Sequence, residues 1–168
     1  MTVPKIMLID DDPDILKIGT LSLTGIARWQ VATASSGKEA IHLAPQEEPD
    51  LIVLDTSMPD MDGLTVMAKL REAPVLKKVP IIFSSTHVEA GEEDFYKSKG
   101  ASGLIAKPFN PETLAQDLLD KAAGNYICYT VKELRSFMRA CPSTSPGRRS
   151  LPCRGATPAL LYIRCLRR

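Results

Sequence analysis

Carboxylates, a hydroxyl group and an ammonium group occur at four separated points of the chain, each next to an apolar segment. An acidic run at positions 10–12 follows the first apolar segment, Asp55 ends another, and Ser85 and Lys107 follow two more. A cluster of carboxylates is unfavourable unless a cation lies among them or some of them stay protonated. Mg²⁺ binds carboxylates together with phosphate oxygens, so it is the expected cation, with Mn²⁺ as the alternative.

These residue types are sufficient for phosphoryl transfer onto a carboxylate. A cation neutralises the repulsion between a carboxylate nucleophile and the incoming phosphoryl group, while an ammonium and a hydroxyl hold its other oxygens. Positioning and charge stabilisation then supply most of the catalysis. Each signal alone has an ordinary structural interpretation, since the acidic run could cap a helix and Asp55 a loop. Neither His42 nor His87 belongs to an obvious transition-metal set.

Strand-like apolar segments alternate with helical patterns over the first 124 residues. The patterns predict strands over 5–9, 29–34, 51–54, 80–83 and 103–106, and helices over 13–23, 36–44, 63–70, 89–99 and 110–119. This alternation predicts an α/β fold with a doubly wound, five-stranded parallel sheet in the flavodoxin-like strand order 2-1-3-4-5.

Capping residues set the expected helix boundaries. Asp12 and Asn110, each followed by a proline, are typical of helix starts. Ser36 and Glu39 form the capping-box pattern that opens the second helix. We expect Pro45 to begin the loop that ends this helix.

The carboxyl ends of parallel strands meet at one edge of a doubly wound sheet, where ligands bind. The predicted strands place the chemically active residues at that edge: Asp10, Asp11, Asp55, Ser85 and Lys107. One site is therefore expected to combine them.

The segment from Asp55 to Gly63 reads D-T-S-M-P-D-M-D-G. It is close to the D-x-x-M-P-x-M-[DN]-G signature of the receiver domain of bacterial two-component response regulators. With the acidic run and the serine and lysine that follow later strands, the chain resembles this family from residue 4 to about 123. The resemblance implies a chemotaxis-regulator-like fold and phosphorelay signal transduction.

The resemblance also implies a role for each acidic residue. Asp55 is the expected phosphoacceptor. Asp11 is expected to bind the metal directly and Asp10 to support it largely through water, while the backbone carbonyl of Ser57 completes the protein ligands.

By the same resemblance, Lys107 and Ser85 correspond to the lysine and hydroxyl that hold the phosphoryl group, and the Lys107–Pro108 bond is expected to be cis. Residues that border the phosphoryl group include Ser57 and His87, which we expect to influence how water reaches it.

The chain departs from the family pattern at two positions that affect the response to phosphorylation and the access to the phosphoryl group. Leu104 stands where the family often has an aromatic residue that rotates inward upon phosphorylation. Thr86 stands where a smaller residue is common and is expected to narrow access to the phosphoryl group. Neither change removes a group needed for transfer.

The resemblance implies a sensor histidine kinase or a histidine phosphotransfer protein as the phosphodonor, and a downstream protein that binds residues 89–123. The protein is then a signalling module, not an enzyme that turns over an external substrate. Two alternatives remain: a protein-binding module that keeps the fold without phosphorylation, and an aspartyl-phosphate phosphatase of the haloacid dehalogenase kind. The latter needs a second acid two residues after the nucleophile, where Ser57 stands.

The distribution of charge divides the chain near Gly124. Residues 1–124 contain 12 basic and 19 acidic residues, whereas residues 125–168 contain 9 basic residues, 1 acidic residue and all four cysteines. We therefore expect a receiver domain over 1–124 and a basic Cys/Arg-rich tail over 125–168, with a helix at 130–141 and a flexible remainder. A shifted or extended reading frame is an open explanation for this tail.

The tail lacks a zinc-binding spacing and a platform of alternating basic and aromatic residues, so neither zinc nor nucleic acid is expected to bind. The N-terminal apolar run is too short for a secretory signal or a membrane span. A cytoplasmic location without membrane partners is the expectation.

Overall fold

The computed structural model describes residues 3–124, and the predictions for the tail lie outside the described residues. In chain order the elements are β1 (Lys5–Ile9), α1 (Pro13–Leu21), β2 (Gln30–Ala34), α2 (Gly37–Glu47), β3 (Leu51–Asp55), α3 (Gly63–Leu70), β4 (Ile81–Ser85), α4 (Glu92–Ser98), β5 (Gly103–Ala106) and α5 (Leu114–Gly124). A π-helical turn, Ser22–Ile26, continues α1, and a 3-10 turn, Pro74–Leu76, precedes β4.

The strands form a five-stranded parallel sheet in the order β2-β1-β3-β4-β5. The predicted fold class and strand order are therefore confirmed. All five residues of β3 are buried, as the uninterrupted apolar segment of a central parallel strand predicts.

Each face of the sheet supports one hydrophobic core. On one face, the side chains of Met7, Ile52, Ile81 and Leu104 pack with residues of α2, α3 and α4. On the other face, residues of α1 and α5 pack with inward-facing positions of β1, β3 and β4. Strand side chains alternate between the two helical layers, so both faces of the sheet are covered by helices. The carboxyl edge of the sheet is then formed by the loops that follow the strands.

Side-chain caps fix the starts of the helices next to that edge. The carboxylate of Asp12 accepts a hydrogen bond from the amide of Asp14 at the start of α1. Asp62 accepts from the amide of Thr65 in α3. In α2, Ser36 accepts from the amide of Glu39, as predicted, but the carboxylate of Glu39 accepts from Ser35 rather than completing the box at Ser36.

The prediction that Pro45 begins a loop was wrong, because Pro45 lies inside α2. The helix continues past the proline to Glu47. It ends at Glu48, whose φ of 44° is left-handed. A left-handed residue after the last turn is a common helix terminus.

Two later helices begin after their predicted starts. Gly91 has a φ of 91° and caps α4, so this helix starts at Glu92 rather than at residue 89. Before α5, the side chain of Asn110 accepts a hydrogen bond from the amide of Glu112 and forms a turn, and the helix itself begins at Leu114. Among residues 3–124, no helix combines the length and apolar character needed to cross a bilayer.

Candidate functional site

The register of the sheet places Asp10, Asp55 and Ser84 in one row at the carboxyl ends of their strands. Ile9 of β1 is paired with Leu54 of β3, and each is followed by an aspartate. Asp55 is in turn paired with Ser84 of β4. This register brings the two acidic residues side by side although they are far apart in the sequence.

Lys107 reaches the two buried aspartates from the end of β5. Its amide donates to the carbonyl of Ser85 at 2.8 Å, which fixes the backbone next to β4. Its Nζ lies 2.5 Å from Oδ2 of Asp10 and 2.9 Å from Oδ1 of Asp55. The Lys107–Pro108 peptide bond is cis. A single ammonium group therefore bridges two carboxylates.

Burial and charge shift the pKa values of this group. Burial raises the pKa of Asp10, and the hydrogen bonds from Lys107 and from the amide of Asp12 offset this only in part. Burial lowers the pKa of Lys107, but the hydrogen bonds and charges of Asp10 and Asp55 outweigh it, so that the pKa is raised above 10.5. The lysine therefore remains an ammonium ion at neutral pH.

The carboxylate oxygens of Asp10, Asp11 and Asp55 lie within 4.8 Å of one another. Asp10 and Asp55 are buried, whereas Asp11 is exposed at the mouth of the site. This donor set fits a hard cation such as Mg²⁺, which prefers oxygen ligands and keeps some of its waters. The one bridging ammonium does not neutralise three carboxylates, which agrees with a site for a second cation.

The segment between β3 and α3 closes over the end of β3. The amide of Gly63 donates to the carbonyl of Thr56 at 3.1 Å, and Ser57 forms an isolated antiparallel bridge with Asp62. A Cβ atom on Gly63 would lie 2.3 Å from the carbonyl oxygen of Asp55. Glycine is therefore required for this close approach, and the segment places Ser57 next to the site.

Ser85 is buried at the end of β4, but its hydroxyl is bonded to its own loop. It donates to the carbonyl of His87 at 2.6 Å and accepts from the amide of His87 at 3.3 Å. The side chains of Thr86 and His87 are exposed. The loop would have to release this hydroxyl before it could hold a phosphoryl oxygen.

Leu104 lies in the core on β5, opposite Phe83 of β4. The ring of Phe83 packs against Tyr96 of α4, with ring centroids 4.5 Å apart. Burial raises the pKa of Tyr96, and the negative charges of Glu92 and Asp55 add to this. An aromatic contact between β4 and α4 therefore lies beside the aliphatic residue at position 104.

Sequence reasoning missed two polar residues at this edge. Ser84 is 1% exposed, and its hydroxyl has no hydrogen-bond partner among the described residues. It lines a cavity of about 10 Å³ together with Asp10. Asp60, a variable position of the signature, accepts hydrogen bonds from the start of α2. Ser84 directly follows the apolar run at 80–83, and this position next to Ser85 was a detectable signal, whereas no local pattern marks Asp60.

Comparison with known sequences agrees with this geometry. Residues 6–119 match the response regulator receiver domain family. The nitrate/nitrite response regulator protein NarL of Escherichia coli (strain K12) is 38% identical over 126 residues, which cover 73% of this chain and 56% of NarL. The chain thus spans about half the length of this relative.

Solved structures with the same fold include chemotaxis proteins. CheY4 of Vibrio cholerae is 32% identical, with a TM-score of 0.66 over 71% of this chain and 98% of that chain. CheY of Borrelia burgdorferi, solved in a complex with CheX, BeF₃ and Mg²⁺, is 25% identical, with a TM-score of 0.63 over 70% of this chain and 87% of that chain.

Proposed function

Because the chain belongs to the response regulator receiver domain family, we propose that it receives a signal as a phosphoryl group on Asp55. The observation that carries this proposal is the bridge of Lys107 between Asp10 and Asp55 at the carboxyl edge of the sheet. This arrangement joins a carboxylate nucleophile to a fixed positive charge within a largely buried site.

In the proposed reaction, a carboxylate oxygen of Asp55 attacks the phosphorus atom of a phosphohistidine. The bond between phosphorus and the imidazole nitrogen breaks, and the nitrogen keeps the electron pair. The product is an acyl phosphate on Asp55. The ammonium of Lys107 stabilises charge on the phosphoryl oxygens, and the hydroxyl of Ser85 donates to another oxygen once it leaves His87.

Asp11, Asp55 and the carbonyl of Ser57 are the proposed direct ligands of Mg²⁺, with Mn²⁺ as a substitute, and Asp10 is proposed to support the cation largely through water. When bound, the cation supplies positive charge between the carboxylates and the incoming phosphoryl group. Asp11 is exposed and open to solvent, while Asp10 is held by the amide of Asp12 and by Lys107. This division supports direct binding by Asp11 and an outer supporting role for Asp10.

A sensor histidine kinase or a histidine phosphotransfer protein is the proposed donor, and a downstream protein that binds residues 89–123 is the proposed target. His87, Thr86 and Leu104 are proposed to modulate the lifetime of the phosphoryl group and the response to it. Two further statements stay predictions. One is the division into a receiver domain over 1–124 and a tail over 125–168, and the other is the cytoplasmic location.

Incubation of the full chain with acetyl phosphate and MgCl₂, followed by intact mass measurement, tests the proposal. We expect a gain of one phosphoryl group in the wild type, and no gain in Asp55→Ala or in excess EDTA. An unmodified wild type that also fails to respond to beryllofluoride would favour a binding module without phosphorylation. Steady hydrolysis of many phosphomonoesters would favour a phosphatase.

A further inference from the structure

Asp60 joins the loop after β3 to a helix that is distant in the sequence. Its Oδ1 accepts a hydrogen bond from the amide of Gly37 at 3.1 Å, and its Oδ2 accepts from the amide of Lys38 at 3.1 Å. These amides belong to the first two residues of α2. One carboxylate thus binds both amides and clamps the loop after β3 to the start of α2.

The first amides of a helix have no acceptor within the helix. In α2, the side chain of Ser36 accepts from the amide of Glu39, one turn further on. Asp60 therefore supplies the hydrogen-bond acceptor for the amides of Gly37 and Lys38. These hydrogen bonds lower the pKa of Asp60 and keep it ionised, and its negative charge is favourable at the positive end of the helix dipole.

The start of α2 packs closely against α3 and the loop after β3. A Cβ atom on Gly37 would lie 2.7 Å from Cγ2 of Val66 and 3.2 Å from Cβ of Met61. The missing side chain at position 37 allows α2 to approach both α3 and the loop after β3. The clamp of Asp60 therefore acts between surfaces that are already in contact.

The same loop carries Ser57, three residues before Asp60. The loop is held at its base by the hydrogen bond from Gly63 to Thr56 and by the bridge between Ser57 and Asp62. Asp60 lies at the outer part of this closed loop and connects it to α2. Movement at residue 60 is thereby linked to the backbone that presents the carbonyl of Ser57.

We propose that Asp60 is a positioning residue for the cation site, because it clamps the loop that bears Ser57 to the start of α2. This inference rests on the proposed function, because the clamp of Asp60 would contribute to the Mg²⁺ affinity of the proposed phosphorylation site. Residues that support metal ligands from outside the coordination sphere typically contribute about 10–100-fold to metal affinity. Because the loop is exposed, we expect the loss of this clamp to reduce Mg²⁺ affinity by a factor at the lower end of this range.

The test uses the full chain and three variants: Asp60→Ala, Asp60→Asn and Glu39→Ala. The last variant is the matched control, because Glu39 supports the start of α2 through Ser35 without contacting the loop after β3. Mg²⁺ affinity is measured by calorimetry on the unphosphorylated protein, and the initial rate of phosphorylation by acetyl phosphate is measured against Mg²⁺ concentration. Thermal unfolding verifies that each variant is folded.

We expect Asp60→Ala to raise the half-saturating Mg²⁺ concentration by about tenfold and to leave the rate at saturating Mg²⁺ almost unchanged. Asp60→Asn, which keeps one acceptor oxygen, should restore part of the affinity. Glu39→Ala should keep the wild-type Mg²⁺ dependence. Amide hydrogen exchange across residues 57–62 should accelerate in Asp60→Ala alone.

Equal Mg²⁺ dependence in Asp60→Ala and the wild type would overturn the inference, as would an equal weakening in Asp60→Ala and Glu39→Ala. If Asp60→Ala does not fold, the comparison of Asp60→Asn with Glu39→Ala decides by the same criteria. A wild type that binds Mg²⁺ but accepts no phosphoryl group would overturn the proposed function. In that case the calorimetric comparison would still decide whether Asp60 supports the cation site.

Discussion

The Nζ atom of Lys107 lies 2.9 Å from Oδ1 of Asp55, and both side chains are almost fully buried. The same ammonium contacts Asp10, so its removal would leave two neighbouring carboxylates without a neutralising positive charge. We expect Lys107→Met to lower the free energy of unfolding by about 3 kcal/mol, the range for a broken buried ion pair. Urea denaturation in the presence of EDTA measures this change.

A double-mutant cycle with Asp10→Asn identifies the cause of that loss. If the two carboxylates repel each other in Lys107→Met, then Asp10→Asn should stabilise this variant more than it stabilises the wild type. Strictly additive effects of the two substitutions would show that Lys107 contributes through packing of its aliphatic chain rather than through its charge.

The stability contributed by Asp10 should depend on pH in the opposite direction to that of an ordinary ion pair. Burial raises the pKa of Asp10 above 3.8, so the folded protein holds a proton on this group more tightly than the unfolded chain does. Stability is therefore lost as the pH rises from 3.8 through the raised pKa, and the loss is constant above it.

Asp10→Asn removes this titration, because an amide resembles the protonated acid. We expect the variant and the wild type to have similar stability below pH 3.8, and the variant to be the more stable above the raised pKa. Denaturation curves at a series of pH values, in EDTA, check this difference. A variant that is less stable at neutral pH would mean that the ion pair with Lys107 outweighs the burial of Asp10.

The sequence predicts the elements of this fold better than it predicts the contacts between loops. β3 consists of apolar residues up to Asp55 and is buried at every position, so its central place in the sheet follows from the sequence pattern. The bond between Asp60 and the amide of Gly37 joins positions 23 residues apart through two irregular segments. No periodicity or capping rule connects such positions, so this contact could be found only in the folded structure.

The same limit applies to the orientation of individual groups. The position of Ser85 at the end of β4 follows from the strand pattern, whereas the hydrogen bond of its hydroxyl to the carbonyl of His87 depends on the turn of the following loop. The same holds for the end of α2. The helix continues past Pro45 because it ends at the left-handed residue Glu48. Local propensity does not determine either outcome.

Gly63 should tolerate no side chain, because a Cβ atom there would lie 2.3 Å from the carbonyl oxygen of Asp55 and 2.8 Å from the ring of Phe83. We expect Gly63→Ala to lower the free energy of unfolding by about 2–3 kcal/mol, as overpacking does, and to slow phosphorylation because Asp55 is displaced. Gly25→Ala is the matched control, since a Cβ atom on Gly25 meets nothing within 4 Å. Stability of Gly63→Ala equal to that of this control would contradict the close packing.

Ser84 should be replaceable by valine with a gain in stability. Its hydroxyl is buried without a partner among residues 3–124, and an unsatisfied buried polar group costs about 1–3 kcal/mol. We expect Ser84→Val to raise the free energy of unfolding by about 1 kcal/mol, because it removes this group and fills the adjoining cavity. Ser84→Ala removes the hydroxyl without filling the space and should be less stable than Ser84→Val. A loss of stability in both variants would reveal a bonded hydroxyl.

Ser57 and His87 should together set the lifetime of the phosphoryl group on Asp55. Ser57 is two residues after Asp55, the proposed acceptor, and His87 is two residues after Ser85, and both residues are exposed. Replacing both with alanine opens a path for attacking water, so we expect dephosphorylation to become several-fold faster. The backbone carbonyls of both residues are retained, which leaves the proposed cation ligand in place.

The decay of the phosphorylated protein after removal of acetyl phosphate, followed by intact mass measurement, gives this rate. Ser98→Ala/His42→Ala is the matched control, because it removes the same two side-chain types from α4 and α2, away from the site. A control that decays as fast as Ser57→Ala/His87→Ala would show that the effect is not local. An unchanged rate in Ser57→Ala/His87→Ala would leave the decay to groups deeper in the site, with Lys107 and the acids as the remaining determinants.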